Sequence, residues 1–585
     1  MRIRINTFSF LTAATLLSLA APRLSLAASA TWGTRPSSGD WTLAENWVPA
    51  VVPNGSQDTA TFSSSAVTNL SISYGVNIEV NQIVFDSSAP PYTISALVSN
   101  LIFSGIGVVN NSGSVQSFVA PTTQDNIGAI FFFNSADAGA MTSYSAVGGL
   151  FVFNDSSSAG SATINLSDTV FQASLDFFDS STAANATISA TGGADVNLFD
   201  TATGGNATFT ITGESFLGIV EDANADHASA TCIGGDQFFG AGILFQGFAS
   251  AGEGTFTAVG ASSSGEKGAY LDFSGGATAA DATLVVGGGL GTGLAATTLT
   301  LFDTTTAAAA NITANGGVGG SDGGAIIFTK KSKGGTASIT LSGNAELDIS
   351  THSAPGVTIG SLTDAGSVFL GANTLTIGSN NQSTSFSGVI QDSGGVTKSG
   401  TGTLTLSGAN TYTGVTTVSG GALNAGNKIG SATGAGAVNV NSGTLGGRGI
   451  IAGPTTVGTG GAGAFLAPAV GSNKQTTLTL QNALTLNADA TYSYTFKAKR
   501  NKTRTDLVKA NGVTINGASI NLVGQTQGNL NLGLTFTVVS NTSATPIIGT
   551  FSNLPNGGIV NVNGNNLQAN YSGGDGNDLT LTVLP

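Results

Sequence analysis

A column of polar residues recurs through the middle of the chain. Asn134, Asn154, Asp179, Asp200, Glu221, Gln246, Ser274, Asp303 and Thr329 each follow a leading apolar residue, and three successive members are carboxylates. Two carboxyl groups held within about 10 Å can cut a glycosidic bond, one as acid and the other as base or nucleophile. Such a pair belongs to one place, whereas this column runs the length of an array. Asn, Asp and Ser at a strand end are turn formers, because their side chains bond the nearby backbone. The acids are therefore expected at exposed corners.

Four further groups of residues could do chemistry. Asp226-His227 with Cys232 nearby hints at a thiol nucleophile. The segment ADHASAT aligns with GGNATF one repeat earlier, which puts His227 in a corner or loop. His227 and His352 stand far apart and outside any metal-ligand spacing. Gly573-Gly574-Asp575-Gly576-Asn577-Asp578 matches the start of a calcium-binding nonapeptide, but it occurs once and Thr580 replaces the expected apolar residue. It reads as a turn before a strand carrying Leu579, Leu581 and Val583. Trp32, Trp41 and Trp47 could form a sugar-stacking platform, or cap the end of a stack by covering exposed core. Lys497 to Lys509 holds six of the eighteen Lys and Arg, either a patch for anionic glycans or lipopolysaccharide or a solvated loop leaving the stack. No catalytic, cofactor-binding or metal residue is assigned, and no enzyme is expected.

The elements that carry these residues are short strands and turns. Units such as FVFNDSSSAGSATI, LFDTATGGNATFTI and LFDTTTAAAANITA repeat with leading apolar residues Phe133, Phe153, Phe178, Phe199, Val220, Phe245, Phe273, Phe302 and Phe328. From 133 to 328 is 195 residues over eight steps, a mean period of about 24. A period of that size without longer helical segments means a solenoid, in which equivalent positions stack into ladders. Farther on, Leu375/Ile377, Leu478/Leu480, Leu484/Leu486, Val513/Ile515 and Ile520/Leu522 repeat the strand alternation. A net charge of −14 excludes nucleic acid as a partner, since phosphate binding needs a basic face. The single cysteine excludes an intramolecular disulfide, so stability must come from stacked coils.

The stretch Gly394 to Leu423 is the clearest coil. Leu404 and Leu406 alternate with Thr403 and Thr405, Ser407-Gly408-Ala409-Asn410 forms a turn, and Tyr412, Val415 and Val418 carry the apolar face onward. Lys398-Ser399-Gly400-Thr401-Gly402-Thr403-Leu404-Thr405-Leu406 followed by Asn410-Thr411-Tyr412-Thr413-Gly414 resembles the autotransporter-associated β-strand repeat. That resemblance implies a right-handed parallel β-helix and a bacterial surface or secreted passenger protein.

At the N-terminus, Arg2 and Arg4 precede an apolar run from Phe8 to Ala21, then Pro22 and Ala28-Ser29-Ala30. This is the pattern of a secretory signal peptide cut after Ala27 or Ala30. The expected fold is all-β, a right-handed parallel β-helix (β-solenoid) with an N-terminal cap. The expected division is signal peptide 1–30, tryptophan cap and first coils 31–125, repeats of about 24 residues 126–350, the autotransporter-associated region 351–424 and C-terminal coils 425–585. The last 100 residues lack the aromatic girdles of a membrane barrel, so separate export machinery and no transmembrane segment after signal removal are expected. The expected function is an exported, non-enzymatic surface or matrix protein, structural or adhesin-like, on the extracellular side of a bacterial envelope. Its partners would be surface glycans or other cell-surface proteins. The alternative is a polysaccharide-active β-helix enzyme, glycosidase-like or lyase-like.

Overall fold

The computed structural model describes residues 28–123, 126–168, 172–235, 240–461, 463–470 and 474–585. The expected signal segment up to Ala27 lies outside them. Among the described residues the one helix is a 3-10 turn at Ala44–Asn46, and no helix is long and apolar enough to cross a membrane. The chain forms an all-β, parallel-stranded β-solenoid. Its coils divide into two compact units at Thr163/Ile164.

The first unit opens with Ala30–Trp32, which pairs antiparallel with Trp47–Val48 and parallel with Gly55–Phe62. Gly55–Phe62, Asn77–Phe85, Asn100–Asn110, Ala129–Phe132 and Leu150–Phe153 then stack in parallel register. Phe103, Phe132 and Phe153 occupy equivalent positions, with ring centroids 4.9 and 4.4 Å apart. Those separations match the strand spacing of a sheet, so each ring lies flat on the next. Trp32, Trp41 and Trp47 cluster on Phe62, each at most 2 % exposed. Their indole N–H groups donate to the carbonyls of Val67, Pro53 and Trp41. The sugar-platform reading is thereby corrected in favour of the cap: no tryptophan face is open to solvent, and the rings pack as a plug on Phe62, which stacks in turn on Phe85.

In the second unit one sheet runs from Ser174–Phe177 through Asp195–Leu198, Phe216–Ile219, Gly242–Phe245, Tyr270–Phe273 and Thr298–Leu301 to Ala325–Phe328. A second sheet runs from Thr187–Thr191 through Thr208–Thr212, Ser229–Ile233, Thr255–Val259, Thr283–Val286 and Asn311–Ala314 to Ser338–Leu341. The passage from first to second sheet has constant length. Phe177 to Thr187, Leu198 to Thr208, Ile219 to Ser229, Phe245 to Thr255, Phe273 to Thr283 and Leu301 to Asn311 are each ten positions. Backbone bridges Thr182↔Thr203, Thr203↔Asn224, Asn224↔Ser250, Ser250↔Thr278 and Thr278↔Thr306 stitch these corners together. The return connection varies, from five positions (Ile211 to Phe216) to twelve (Ala258 to Tyr270). A coil therefore takes 21 residues from Phe177 to Leu198 but 28 from Phe245 to Phe273.

The register corrects five of the nine expected apolar positions. Phe177, Leu198, Ile219, Phe245, Phe273, Leu301 and Phe328 share the inward position, each at most 1 % exposed. Phe178, Phe199, Val220 and Phe302 lie one residue beyond it, as does Phe133 beyond Phe132 in the first unit. Each is the second of two adjacent apolar residues, and a one-residue slip in a strand exchanges the faces. Phe178 and Phe199 stack on the outside instead, centroids 4.9 Å apart.

From Gly356–Ile359 onward a third parallel sheet joins the coils, continuing through Thr374–Ile377, Gly395–Lys398, Thr416–Val418 and Val438–Val440. The final strands, Ile559–Val562, Asn565–Gly573 and Asp578–Leu584, run antiparallel and pair with Thr535–Asn541.

Candidate functional site

The corner acids have a backbone task. In the second unit Asp179, Asp200, Glu221, Asp303 and Lys330 adopt φ between 53° and 62°, and Gly247 and Gly275 take φ of 73° and 74° at equivalent places. That left-handed conformation suits Gly, Asn and Asp and turns the chain sharply off the sheet. The N–H of Asp179 donates to Asp200 Oδ2 at 2.9 Å, and the N–H of Asp200 donates to Glu221 Oε2 at 3.1 Å. The Gly275 N–H donates to Asp303 Oδ2 at 3.4 Å, while Lys330 Nζ donates to Asp303 Oδ1. In the first unit the Asn134 N–H donates to Asp155 Oδ2 in the same way. The carboxylates of Asp155, Asp200, Glu221 and Asp303 thus cap the coil before them. The expected column mixes two registers: Asn154, Gln246, Ser274 and Thr329 sit one position early, and Asp155, Gly247, Gly275 and Lys330 hold the corner.

A second group of acids escaped the sequence reading because it lies on strand interiors. Ser174 and Asp176 pair with Asp195 and Asn197 in adjacent strands. Asp176 Oδ1 accepts from Ser174 Oγ and Asn197 Nδ2, and Asp195 Oδ2 accepts from Gln172 Nε2 at 2.7 Å. Burial, with Asp176 and Asp168 nearby, pushes the Asp195 carboxyl up to about 7. Burial alone raises Asp176, and burial pushes Asp272 up to about 6 against a hydrogen bond from Thr300. A raised folded pKa means that the folded state holds a proton the unfolded chain has released. Stability is then full below the unfolded value near 4 and is lost as pH rises through 6 to 7. The thermal midpoint should therefore climb between pH 7.5 and pH 5, and Asp195→Asn should weaken that climb. Carboxyls with lowered values, such as Asp86 and Asp303, act only below this window.

The remaining candidates come apart. Cys232 stands in the inward register between Ile211 and Ala258, and burial pushes its thiol up to about 12. His227 is exposed and faces Glu253 Oε2 at 3.6 Å, so thiol and imidazole lie on opposite sides of the wall. His352 Nε2 lies 2.8 Å from the Ser332 carbonyl. The segment Gly573 to Asp578 closes a hairpin, and Asp578 Oδ1 accepts the Asn541 N–H. The basic stretch is not a loop. Ala490–Lys499 and Lys502–Thr505 form an antiparallel hairpin, and Ala490–Lys499 also pairs in parallel with Ser519–Gln527. Lys497, Lys499, Arg500, Lys502, Arg504 and Lys509 are all exposed. Asp506 anchors the hairpin's base from a fully buried position, accepting the N–H groups of Thr476 and Thr495 and the Thr495 hydroxyl.

The coil around residue 400 joins two sheets. Gly395–Lys398 pairs with Thr416–Val418, and Thr403–Leu406 pairs with Ala422–Ala425. Leu404, Leu406, Tyr412 and Val418 are buried as expected, but Val415 is 46 % exposed and Thr416 takes the inward place. Tyr412 Oη and Thr416 Oγ1 lie 2.6 Å apart in the core. Lys398 points inward between Ile377 and Val418, only 1 % exposed. Its Nζ donates to the carbonyls of Ser399, Gly400 and Gly420, which closes the corner where two coils turn.

Residues 396–425 match the passenger-associated-transport-repeat family. No curated protein matches the chain. The passenger repeat thus covers one coil and the start of the next, and it begins two residues before the buried lysine. The Lys-Ser-Gly-Thr-Gly run of the repeat has a physical reading here. Gly400, at φ 65°, brings its carbonyl round to the ammonium, and a Cβ there would meet the Gly378 carbonyl at 2.0 Å. Alternation marks position 398 as inward, but nothing in the sequence says that a lysine there is buried and held by carbonyls.

Proposed function

We propose that the chain is an exported, non-enzymatic scaffold of the cell surface or matrix, a passenger-like β-solenoid with an adhesive role. The observation that carries this reading is the use of the corner carboxylates: Asp155, Asp200, Glu221 and Asp303 each accept a backbone N–H from the preceding coil. Groups so engaged hold coils in register. The passenger repeat supports a surface or secreted location. A purified preparation should release no reducing ends or unsaturated products from pectin, alginate, glucan or xylan, with or without calcium.

A second reading, a polysaccharide-active enzyme, is favoured by one observation. Burial, with Asp176 and Asp168 nearby, raises the Asp195 carboxyl to about 7, so that a share of it stays protonated at neutral pH as a general acid needs. Product release that disappears in Asp195→Asn with the fold intact would replace the scaffold with that enzyme. Release that disappears in Asp179→Asn/Asp200→Asn would move the active site to the corners.

Export implies processing, and the geometry favours one of the two cut sites. Asp58 is 2 % exposed, with Oδ1 accepting the Ala28 N–H and Oδ2 the Asn54 N–H. Cutting after Ala27 would leave the Ala28 ammonium against this buried carboxylate, whereas cutting after Ala30 would remove a residue paired with Ala60. N-terminal sequencing of the exported protein should begin at Ala28; a start at Thr31 would refute the assignment.

A further inference from the structure

We propose that the outer face of the Ala490–Lys499/Lys502–Thr505 hairpin and its neighbour Ser519–Gln527 is a binding site for an acidic polysaccharide, a chain of uronate or sulfated sugars. The inference rests on the surface-scaffold reading only for where the ligand is met. Register carries the geometry. Arg504 pairs with Lys497, which pairs with Gln525; Lys502 pairs with Lys499, which pairs with Gln527. Directly paired residues project to the same face, so two rungs of three side chains lie side by side. Strand spacing sets them about 4.8 Å apart across the sheet and roughly 6.8 Å apart along it.

Lys497 opposite Arg504 and Lys499 opposite Lys502 place like charges in contact, an arrangement that opposes sheet formation. Among the described residues none of these four cations forms an ion pair. A chain of net charge −14 has thus gathered uncompensated cations on one strip. A polyanion lying along the strip would supply the missing counter-charges.

Beside the strip runs a groove of about 560 Å³, lined in part by Gln475, Ser493, Thr495, Lys497, Val523 and Gln525. Its amides and hydroxyls match the hydroxyl groups of a sugar ring, and exposed Val523 offers an apolar wall for a ring face. A phosphate surface would use the cations and leave these neutral groups idle. Lys497 and Gln525 belong to both strip and groove, so one extended ligand can engage the two together.

The test is binding of the purified protein to immobilised polygalacturonate, heparin and neutral dextran at low and high salt. Binding to one or both acidic chains, weakened by salt and absent for dextran, is expected. The variant Lys497→Gln/Lys499→Gln/Lys502→Gln/Arg504→Gln should bind about tenfold more weakly or worse. Its thermal midpoint should equal or exceed that of the parent, because like-charge pairs are removed. Lys331→Gln/Lys333→Gln/Lys428→Gln, which lowers positive charge elsewhere, should bind as the parent does. Equal binding by the hairpin variant, or equal loss in the control, would overturn the site. So would capture by anionic vesicles alone, or hairpin-dependent self-association without polysaccharide binding. Sugar released during the assay would overturn the scaffold reading and leave the binding site standing.

Discussion

Lys398→Met should lower the stability of its coil by about 2–4 kcal/mol, although the side chains have similar length. The wild-type ammonium satisfies the carbonyls of Ser399, Gly400 and Gly420, and a thioether cannot. Leaving buried acceptors without a donor costs about 1–3 kcal/mol each, partly offset because a buried ammonium no longer needs desolvating. Denaturant unfolding and amide exchange around residues 377–425 would measure the loss. Burial also pushes this ammonium down from 10.5 to about 8. Between those values the unfolded chain keeps a proton that the folded chain has shed, so parent stability should rise with pH across the window. The methionine variant should lack that rise. Unchanged exchange protection at the corner would show that the carbonyls have other partners.

Leu404→Asp should be still more damaging, at roughly 3–5 kcal/mol, and Thr405→Asp nearly silent. Leu404 is 1 % exposed and stacks in register with Leu423, so a carboxylate there is taken out of water into an apolar column. Thr405 projects from the other face, where its hydroxyl accepts only the Asn424 side chain. Because each coil contacts mainly its neighbours, the damage should appear as local loss of exchange protection before global unfolding. Equal effects from the two substitutions would overturn the inward assignment of Leu404.

The parts legible in the sequence were those that strict alternation exposes. Leu375, Ile377, Leu478, Leu480, Leu484, Leu486, Val513, Ile515 and Ile520 are buried, each at most 4 % exposed, as their period of two indicates, but Leu522, on the strand beside the basic hairpin, is only half-buried. The solenoid and the passenger repeat were legible for the same reason. Register failed at Phe-Phe, Leu-Phe and Ile-Val doublets, where both residues are apolar and only the neighbouring strand shows which one enters. Val415 was misplaced by the opposite error, since the core accepts Thr416 through its bond with Tyr412. Asp176 and Asp195 stayed hidden because their meeting depends on two strands 21 residues apart lying in parallel. The basic stretch appeared as a loop because lysine and arginine weaken a strand signal, yet pairing on both sides of Ala490–Lys499 holds it flat.

The constant ten-residue corner sets where this chain can gain or lose residues. One residue added between Phe245 and Thr255 would break the Asn224↔Ser250 and Ser250↔Thr278 bridges and turn the following strand's inward face outward. The same addition among exposed Ser262, Ser263 and Ser264 merely lengthens a return path that already ranges from five to twelve positions. Insertions, epitope tags and grafted peptides therefore have one permitted edge on these coils. Along that edge new surface can be tried one coil at a time, while the opposite edge keeps every coil in step.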